Sequence, residues 1–291
     1  MKLRSVELEV PRVGEAAEFL ERTWGLLRAG TREDACYLRG TAGHPYLVAL
    51  RPGSAPVVSS VTFSGTADEV SAVEDRVRRS GAPHGRLAAV DEPGGGSGVL
   101  VQGPHGHVYR FLDSAESDAR PAESDRPIQL THVVLNSIDV PASERFAVQA
   151  LGFTLSDRTR LMSFVRCNRK HHCVAYARAE ASSLHHIAFE MRDLDAVMRG
   201  LGRLQDAGYV PVWGPGRHGP GNNVFGYFVA PFGAMIEYTA EVAEVDEHYK
   251  VGGPEDWQWP PGRIDHWGVS KRDALRAGAA ETLFRFPAAL P

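Results

Sequence analysis

The chain has 291 residues, 43% of them hydrophobic, and a formal net charge of −4. This length exceeds that of a typical single domain, so we expect two domains or a duplicated architecture with a substantial core. The small net charge and the scattered basic residues give no indication of a nucleic-acid or acidic-membrane partner. No apolar run approaches the ~18 residues of a membrane span, and the N-terminus lacks the features of a secretory signal, so a cytoplasmic protein is expected.

The first predicted elements are an alternating strand and a helix, in the stretch SVELEVPRVGEAAEFLERTWGL (5–26). A second strand and helix follow in SVTFSGTADEVSAVEDRVRRSGA (60–82), and a proline-glycine turn enters a strand in GPHGHVYRFL (103–112). Glycine suits the left-handed cap at the end of a helix, so the first helix is predicted to end at Gly25.

The stretch 113–127, DSAESDARPAESDRP, is polar and contains proline, which is typical of a linker. It divides the chain into a first domain, 1–112, and a second domain, 128–245, which a tail, 246–291, follows.

The second domain repeats the order of elements of the first. HVVLNSIDVPASERFAVQALGF (132–153) corresponds to 5–26, HIAFEMRDLDAVMRGLGRLQDAGY (186–209) to 60–82, and APFGAMIEYT (230–239) to 103–112. The helix in 132–153 is predicted to end at Gly152. Two copies of one fold are the simplest explanation of this spacing, which indicates an internal repeat.

At the three corresponding positions the second domain has His132, His186 and Glu237. Two imidazoles and one carboxylate on separate strands are typical of the facial triad that binds non-haem Fe(II). The first domain has Ser5, Ser60 and Arg110 there, and the fixed positive charge of an arginine is incompatible with a bound cation.

Strand alternation supports this choice, because side chains with period two share a face. The apolar residues at +1 and +3 after His132 and after His186 point to the core, so both imidazoles face the other side. Of the doublet His185–His186, His186 is therefore the predicted ligand and His185 is predicted on the opposite face.

The second domain resembles the type I extradiol ring-cleaving dioxygenases of the vicinal oxygen chelate superfamily. The resemblance is specific in GRHGPGNNVFGYFVAPFGAMIE (216–237), which supplies the Gly-x-His, Tyr and Pro-x-Gly positions before the Glu, although Gly226 replaces an aliphatic residue. FVRCNRKHHCVAYA (164–177) is similar to a second family stretch, with Cys173 in place of a hydroxyl residue. The first half resembles the metal-free domain of the family in architecture only.

This resemblance implies a fold class and site roles. The fold is α+β, with tandem βαβββ modules, and each domain is a half-open barrel of mixed strands with helices outside. His172 would be the acid/base histidine, His218 and Tyr227 would lie near a substrate hydroxyl, and His171 is left unassigned. The chemistry is plausible for these residue types, because histidine transfers protons near neutral pH and tyrosine donates a hydrogen bond.

The predicted activity is Fe(II)-dependent cleavage of a catechol-type aromatic by O2, with Mn(II) as the alternative ion because the same ligands accept both. A homo-oligomer is also expected. Three alternatives stay open: a keto-acid-using dioxygenase, a glyoxalase-like isomerase, and an aromatic-binding module without catalysis. The substrate, the position of cleavage and the role of the tail are not specified by the sequence.

Overall fold

Two eight-stranded mixed sheets form the protein in a computed structural model that describes residues 1–119 and 125–290. The strands of the first sheet are β1 (Lys2–Val10), β2 (Leu27–Arg32), β3 (Ala35–Arg39), β4 (Val48–Pro52), β5 (Val57–Ser64), β6 (His84–Leu87), β7 (Gly98–Gln102) and β8 (Val108–Leu112). Those of the second sheet are β9 (Leu130–Ser137), β10 (Thr154–Arg158), β11 (Met162–Arg166), β12 (Val174–Arg178), β13 (Ser183–Glu190), β14 (Trp213–Arg217), β15 (Val224–Val229) and β16 (Met235–Ala240).

The helices are few, and all but the last lie between strands. They are α1 (Val13–Arg22), α2 (Ala67–Ser80), α3 (Val140–Phe146), α4 (Leu194–Asp206) and, in the tail, α5 (Ala274–Glu281). A π-helical turn, Ala147–Leu151, continues α3. None of the helices in the described part of the chain has the length and apolar composition needed to cross a membrane.

The two sheets repeat one topology. The strand order is β2-β3-β4-β1-β5-β8-β7-β6 in the first and β10-β11-β12-β9-β13-β16-β15-β14 in the second, which is the same order displaced by eight strands. The predicted duplication and the α+β fold class are therefore confirmed.

The repeat extends to the register of single residues. In the second sheet Ala188 pairs with His132 on one side and with Glu237 on the other. In the first sheet Thr62 pairs in the same way with Ser5 and Arg110. Strand pairing thus places His132 and Glu237, like Ser5 and Arg110, at the centre of their sheets.

Of the two helix ends predicted from glycines, Gly25 and Gly152, one is confirmed. Gly152 caps the π-helical turn in the left-handed conformation, with a φ of 79°, as predicted. Gly25 also has a positive φ, 93°, but the prediction that α1 ends there is wrong, because α1 ends at Arg22 with Thr23 as its C-cap.

The two sheets pack on each other through a shared core. The ring of Trp24, after α1, stacks on Tyr238 of β16 with centroids 3.7 Å apart, and the Trp24 carbonyl accepts a hydrogen bond from the Tyr238 hydroxyl. The hydroxyls of Tyr109 and Tyr176 are 2.8 Å apart across the same boundary. Tyr238 directly follows Glu237 in the chain, so the first domain supports the strand that carries this carboxylate.

Part of the predicted linker and the last residue of the predicted tail, residues 120–124 and 291, lie outside the described residues. The described part of the tail packs back on the second sheet, where the backbone N–H of Leu184 donates to the carbonyl of Phe284 over 2.8 Å.

Candidate active site

Strand pairing brings three buried side chains of the second sheet together. His132, His186 and Glu237 are 2%, 4% and 0% exposed, and one ligand atom of each lies within 4.8 Å of the others. The strand register explains why these side chains meet. Ala188 of β13 pairs with His132 on β9 and with Glu237 on β16. His186 lies two residues before Ala188 and therefore points to the same face of the sheet.

The donor atoms are arranged as a cation would need them. The Nε2 atoms of His132 and His186 are 3.4 Å apart, and Glu237 Oε2 lies 3.3 and 3.1 Å from them. This carboxylate oxygen has no hydrogen-bond partner among the described residues. A buried oxygen without a partner is costly unless a ligand satisfies it, so these residues form a His/His/Glu metal-binding triad.

The outer nitrogens of both imidazoles are held by neighbours. His132 Nδ1 lies 2.9 Å from Thr131 Oγ1, and His186 Nδ1 lies 2.8 Å from His185 Nδ1. His185 Nε2 in turn lies 3.0 Å from Glu281 Oε1 in α5. Partners of this kind fix the ring orientation and leave Nε2 free for a metal.

The prediction that His185 lies on the opposite face is wrong. The register of β13 shifts between Leu184 and His186, so His185 is the extra residue of a β-bulge, which interrupts strict alternation. Its ring lines the same cavity as His186.

Burial dominates the electrostatics of the site. Burial lowers the pKa of His186 to about 3, so this imidazole is neutral, as a metal ligand must be. Burial alone would raise the pKa of the Glu237 carboxyl, but the neighbouring His132 is the main influence that holds this pKa well below its usual value. Glu237 is therefore an anion.

His218 and Tyr227 form a pair beside the triad. His218 follows β14 and Tyr227 lies in β15, and the hydroxyl of Tyr227 is 2.8 Å from Nε2 of His218. The Tyr227 ring contacts that of His186, with centroids 5.0 Å apart. Burial raises the pKa of Tyr227 well above its usual value and lowers that of His218 to about 4, so a protonated hydroxyl faces a neutral imidazole.

His172 lies on the other side of the triad. It is 3% exposed, and its ring is 4.2 Å, centroid to centroid, from that of His132. Burial, followed by the neighbouring His132, lowers the pKa of His172 well below its usual value. The structure therefore brings together all six residues that the sequence singled out.

The sequence did not assign a role to two further residues, His171 and Asp157. His171 is buried, with Nδ1 3.0 Å from Nδ1 of His172 and Nε2 2.7 Å from Oδ2 of Asp157. The sequence signal was the doublet itself, but the partner carboxylate lies on β10 and only the fold brings it near.

A cavity of about 630 Å³ is lined by the two triad histidines, His132 and His186, and by His172, His218 and Tyr227. Its walls also include tail residues, among them Trp257, Trp259 and Ile264. Of the two tail histidines, His248 is 85% exposed and His266 does not line this cavity. The volume lies within the ~300–1,000 Å³ of ordinary small-molecule pockets.

The first domain has an ion-pair network at the corresponding place. The carboxylate of Glu7 accepts hydrogen bonds of 2.7 Å from both Ser5 and Ser60, and Arg110 pairs with Glu92 at 2.7 Å. The Arg110 guanidinium thus supplies a positive charge at the place that corresponds to the metal-binding triad of the second domain.

Comparisons with known proteins agree with the geometry. A family model described as the Glyoxalase/Bleomycin resistance protein/Dioxygenase superfamily matches residues 129–238. The protein "Metapyrocatechase 2" of Cupriavidus necator is 28% identical over 281 residues, which cover 88% of this chain and 83% of that protein.

Solved structures share the whole fold. The Mn(II)-bound glyoxalase from Novosphingobium aromaticivorans is 30% identical, with a TM-score of 0.87 over 100% of this chain and 95% of that one. Homoprotocatechuate 2,3-dioxygenase from Arthrobacter globiformis has a TM-score of 0.84 over 97% and 90% of the two chains, and its 21% identity supports the fold alone.

The predicted resemblance to type I extradiol dioxygenases is thus confirmed, and the chain belongs to the Glyoxalase/Bleomycin resistance protein/Dioxygenase superfamily.

Proposed function

We propose that this protein is an extradiol dioxygenase, which uses Fe(II) and O2 to cleave the ring of a catechol-type aromatic beside its two hydroxyls. The observation that carries the proposal is the cavity that the triad histidines His132 and His186 line together with His172 and the His218–Tyr227 pair, with Glu237 beside the two triad histidines. The names of relatives such as metapyrocatechase support it.

The ion would be held by His132, His186 and Glu237. When bound, it supplies Lewis-acid chemistry that eases deprotonation of the catechol, and redox chemistry with O2. The single carboxylate leaves the site one negative charge, so an anionic catechol can join a divalent cation there without excess charge.

The remaining side chains act on the substrate. His172 is neutral and can accept the proton that a catechol must lose. The Tyr227 hydroxyl stays protonated and can donate a hydrogen bond to the resulting oxygen anion. His218 Nε2 lies within hydrogen-bond distance of that hydroxyl and thereby positions it for the substrate.

The cavity walls favour an aromatic ligand. Phe164, Trp213 and Trp259 line it together with aliphatic side chains such as Val134 and Met162. Such surfaces bury an aromatic ring with little loss of side-chain entropy. The volume of about 630 Å³ leaves space beyond a single ring, so substituted catechols are the first compounds to test.

A glyoxalase-like isomerase is the second candidate, because the structure with a TM-score of 0.87 carries that name. An isomerase rearranges its substrate without oxygen, whereas ring cleavage consumes one O2 for each product. Oxygen uptake therefore separates the two functions.

The test begins with protein purified without oxygen and loaded separately with Fe(II) and Mn(II). A panel of catechols is added with O2, and oxygen uptake is recorded together with the near-ultraviolet and visible absorbance of a ring-fission product. Equal amounts of O2 consumed and product formed support the proposal, and a parallel assay with methylglyoxal and glutathione tests the isomerase. Binding of catechols by the loaded protein without turnover of any of them would contradict the proposal.

Three separate measurements test the identity of the ion, the oligomeric state and the location. We propose Fe(II) as the active ion, a homo-oligomer as the state in solution, and the cytoplasm as the location. Metal analysis of the protein as isolated, light scattering and cell fractionation give the respective answers.

A further inference from the structure

A chain of three buried polar side chains reaches from the tail to the candidate acid/base histidine. Asp157, His171 and His172 are 0%, 1% and 3% exposed. Asp157 Oδ2 lies 2.7 Å from His171 Nε2, and His171 Nδ1 lies 3.0 Å from His172 Nδ1. From this arrangement we infer that Asp157 and His171 are positioning residues that fix which nitrogen of His172 carries the proton.

The first step is that Asp157 acts as an acceptor. Its Oδ1 accepts the backbone N–H of Gly252 over 2.7 Å, and its Oδ2 accepts the hydroxyl of Tyr249 over 3.0 Å. Burial, with the charge of Asp157, raises the pKa of Tyr249 to about 12, so this hydroxyl keeps its proton to donate. With two donors already directed at it, the carboxylate accepts a third hydrogen bond from His171 Nε2–H.

The second step is the tautomer of His171. A neutral imidazole has one donor and one acceptor nitrogen. If His171 is the neutral imidazole that donates Nε2–H to Asp157, its Nδ1 is the acceptor, and the proton between the two rings belongs to Nδ1 of His172.

The third step is the consequence for His172. Its Nδ1 carries the proton, so its Nε2 is bare, and Nε2 has no hydrogen-bond partner among the described residues. The ring lines the cavity. His172 is therefore held as a base towards the substrate, and this role rests on the proposed function.

The backbone fixes this arrangement. The His171 N–H donates to the carbonyl of Ala243 over 2.8 Å, and the His171 carbonyl accepts the hydroxyl of Ser156 over 2.5 Å. The His171 and His172 rings are nearly perpendicular, at 86°. Rotation of either ring would leave a buried nitrogen without a partner, which costs free energy.

Asp157→Asn is the decisive substitution because it reverses the polarity with almost no change of shape. The Gly252 N–H can only donate, so the amide oxygen stays on that side and the NH2 group faces His171 Nε2. His171 then donates from Nδ1, and His172 presents Nε2–H to the cavity. A base in the wrong tautomer loses most of its catalytic effect.

The direct readout is the tautomer of His172, measured by the ¹⁵N chemical shifts and long-range proton couplings of its ring in the protein loaded with diamagnetic Zn(II). The His172→Gln spectrum assigns the signals. We expect the wild type to have Nδ1 protonated and Asp157→Asn to have Nε2 protonated. An Nε2–H tautomer in the wild type, or an unchanged tautomer in Asp157→Asn, would overturn the inference.

The second readout is turnover with Fe(II). We expect Asp157→Asn to lower kcat by about 10²-fold or more and to change KM and iron content little. His171→Asn, which keeps an acceptor near the position of Nδ1, should retain more kcat than His171→Leu. Equal kcat values for these two His171 variants, with both folded, would contradict the positioning role.

The matched control is Glu144→Gln, a carboxylate-to-amide change that also acts on β10. Glu144 pairs with Arg158 at 2.5 Å and accepts from Ser163 over 2.6 Å, so its loss should lower the melting temperature and leave kcat unchanged. The two hypotheses fail differently. An iron-loaded wild type that cleaves no catechol refutes the proposed function, whereas the tautomer measurement still decides the role of Asp157 and His171.

Discussion

The boundary between the two domains contains a histidine that should make stability depend on pH. His107 is 1% exposed, and its Nε2–H donates to the carbonyl of Asn136 in β9 over 2.8 Å. Burial lowers the pKa of His107 to about 4, whereas an exposed histidine in the unfolded chain has a pKa of ~6.5. Between these two pKa values the unfolded chain binds a proton on His107, whereas the folded protein does not.

The sign and size of the effect follow from linkage. Because the folded pKa is the lower one, the stabilisation is complete above pH 6.5 and is lost as the pH falls towards 4. The full loss below pH 4 corresponds to about 3 kcal/mol of unfolding free energy, and about 2 kcal/mol of it is lost between pH 7.5 and 5.0.

The perturbation is His107→Gln, which keeps a donor for the Asn136 carbonyl and does not titrate. Urea unfolding of metal-free protein at pH 7.5 and 5.0 gives the change in unfolding free energy for both proteins. The variant should lose about 2 kcal/mol less than the wild type over this interval. His248→Gln, at a histidine that is 85% exposed, is the control and should lose as much as the wild type. An equal loss in His107→Gln and the wild type would refute the argument that burial of this imidazole controls the dependence.

Three further predictions concern the candidate site and its support. Glu237→Ala should weaken Fe(II) binding by about 100-fold or more, measured by competition with a chelator. Glu244→Ala, at an exposed carboxylate, should leave Fe(II) binding unchanged. Stoichiometric iron with full activity in Glu237→Ala would disprove the triad. His172→Phe should retain iron and lower kcat by about 10²–10⁴-fold in the oxygen-uptake assay, and an unchanged kcat would rule out a proton-transfer role. Trp24→Ala should lower the unfolding free energy by about 3–5 kcal/mol, because the Trp24 ring stacks on Tyr238. Trp24→Phe is the milder comparison. A loss below 1 kcal/mol in Trp24→Ala would show that the two domains do not depend on this contact.

Several features of the protein could be read from local patterns. The duplication was visible because each half repeats the same order of strand, helix and glycine at the same spacing. The triad was visible because strand alternation directs His132, His186 and Glu237 to the face of their strands opposite the apolar core residues. The likeness of 216–237 to a family motif added His218 and Tyr227, since the spacing of such a motif lies within one continuous stretch.

Other features depended on contacts between distant parts of the chain. His171 and His185 looked inert beside His172 and His186, but each joins its neighbour to a carboxylate, Asp157 and Glu281 respectively. Their partners lie on β10 and in α5, and one of the two, His185, is turned towards the cavity by a bulge that alternation does not predict.

The sequence by itself determined which side chains can bind a metal and on which strands they lie, because strand periodicity and residue chemistry are local properties. Only the tertiary structure decided how the protons are held around them, because a histidine tautomer depends on the partner of its second nitrogen. For His171, which lies between β11 and β12, that partner is Asp157 on β10, 14 residues away in the chain. The tail residues Tyr249 and Gly252 that hold this carboxylate are brought there only by packing of the tail on the second sheet.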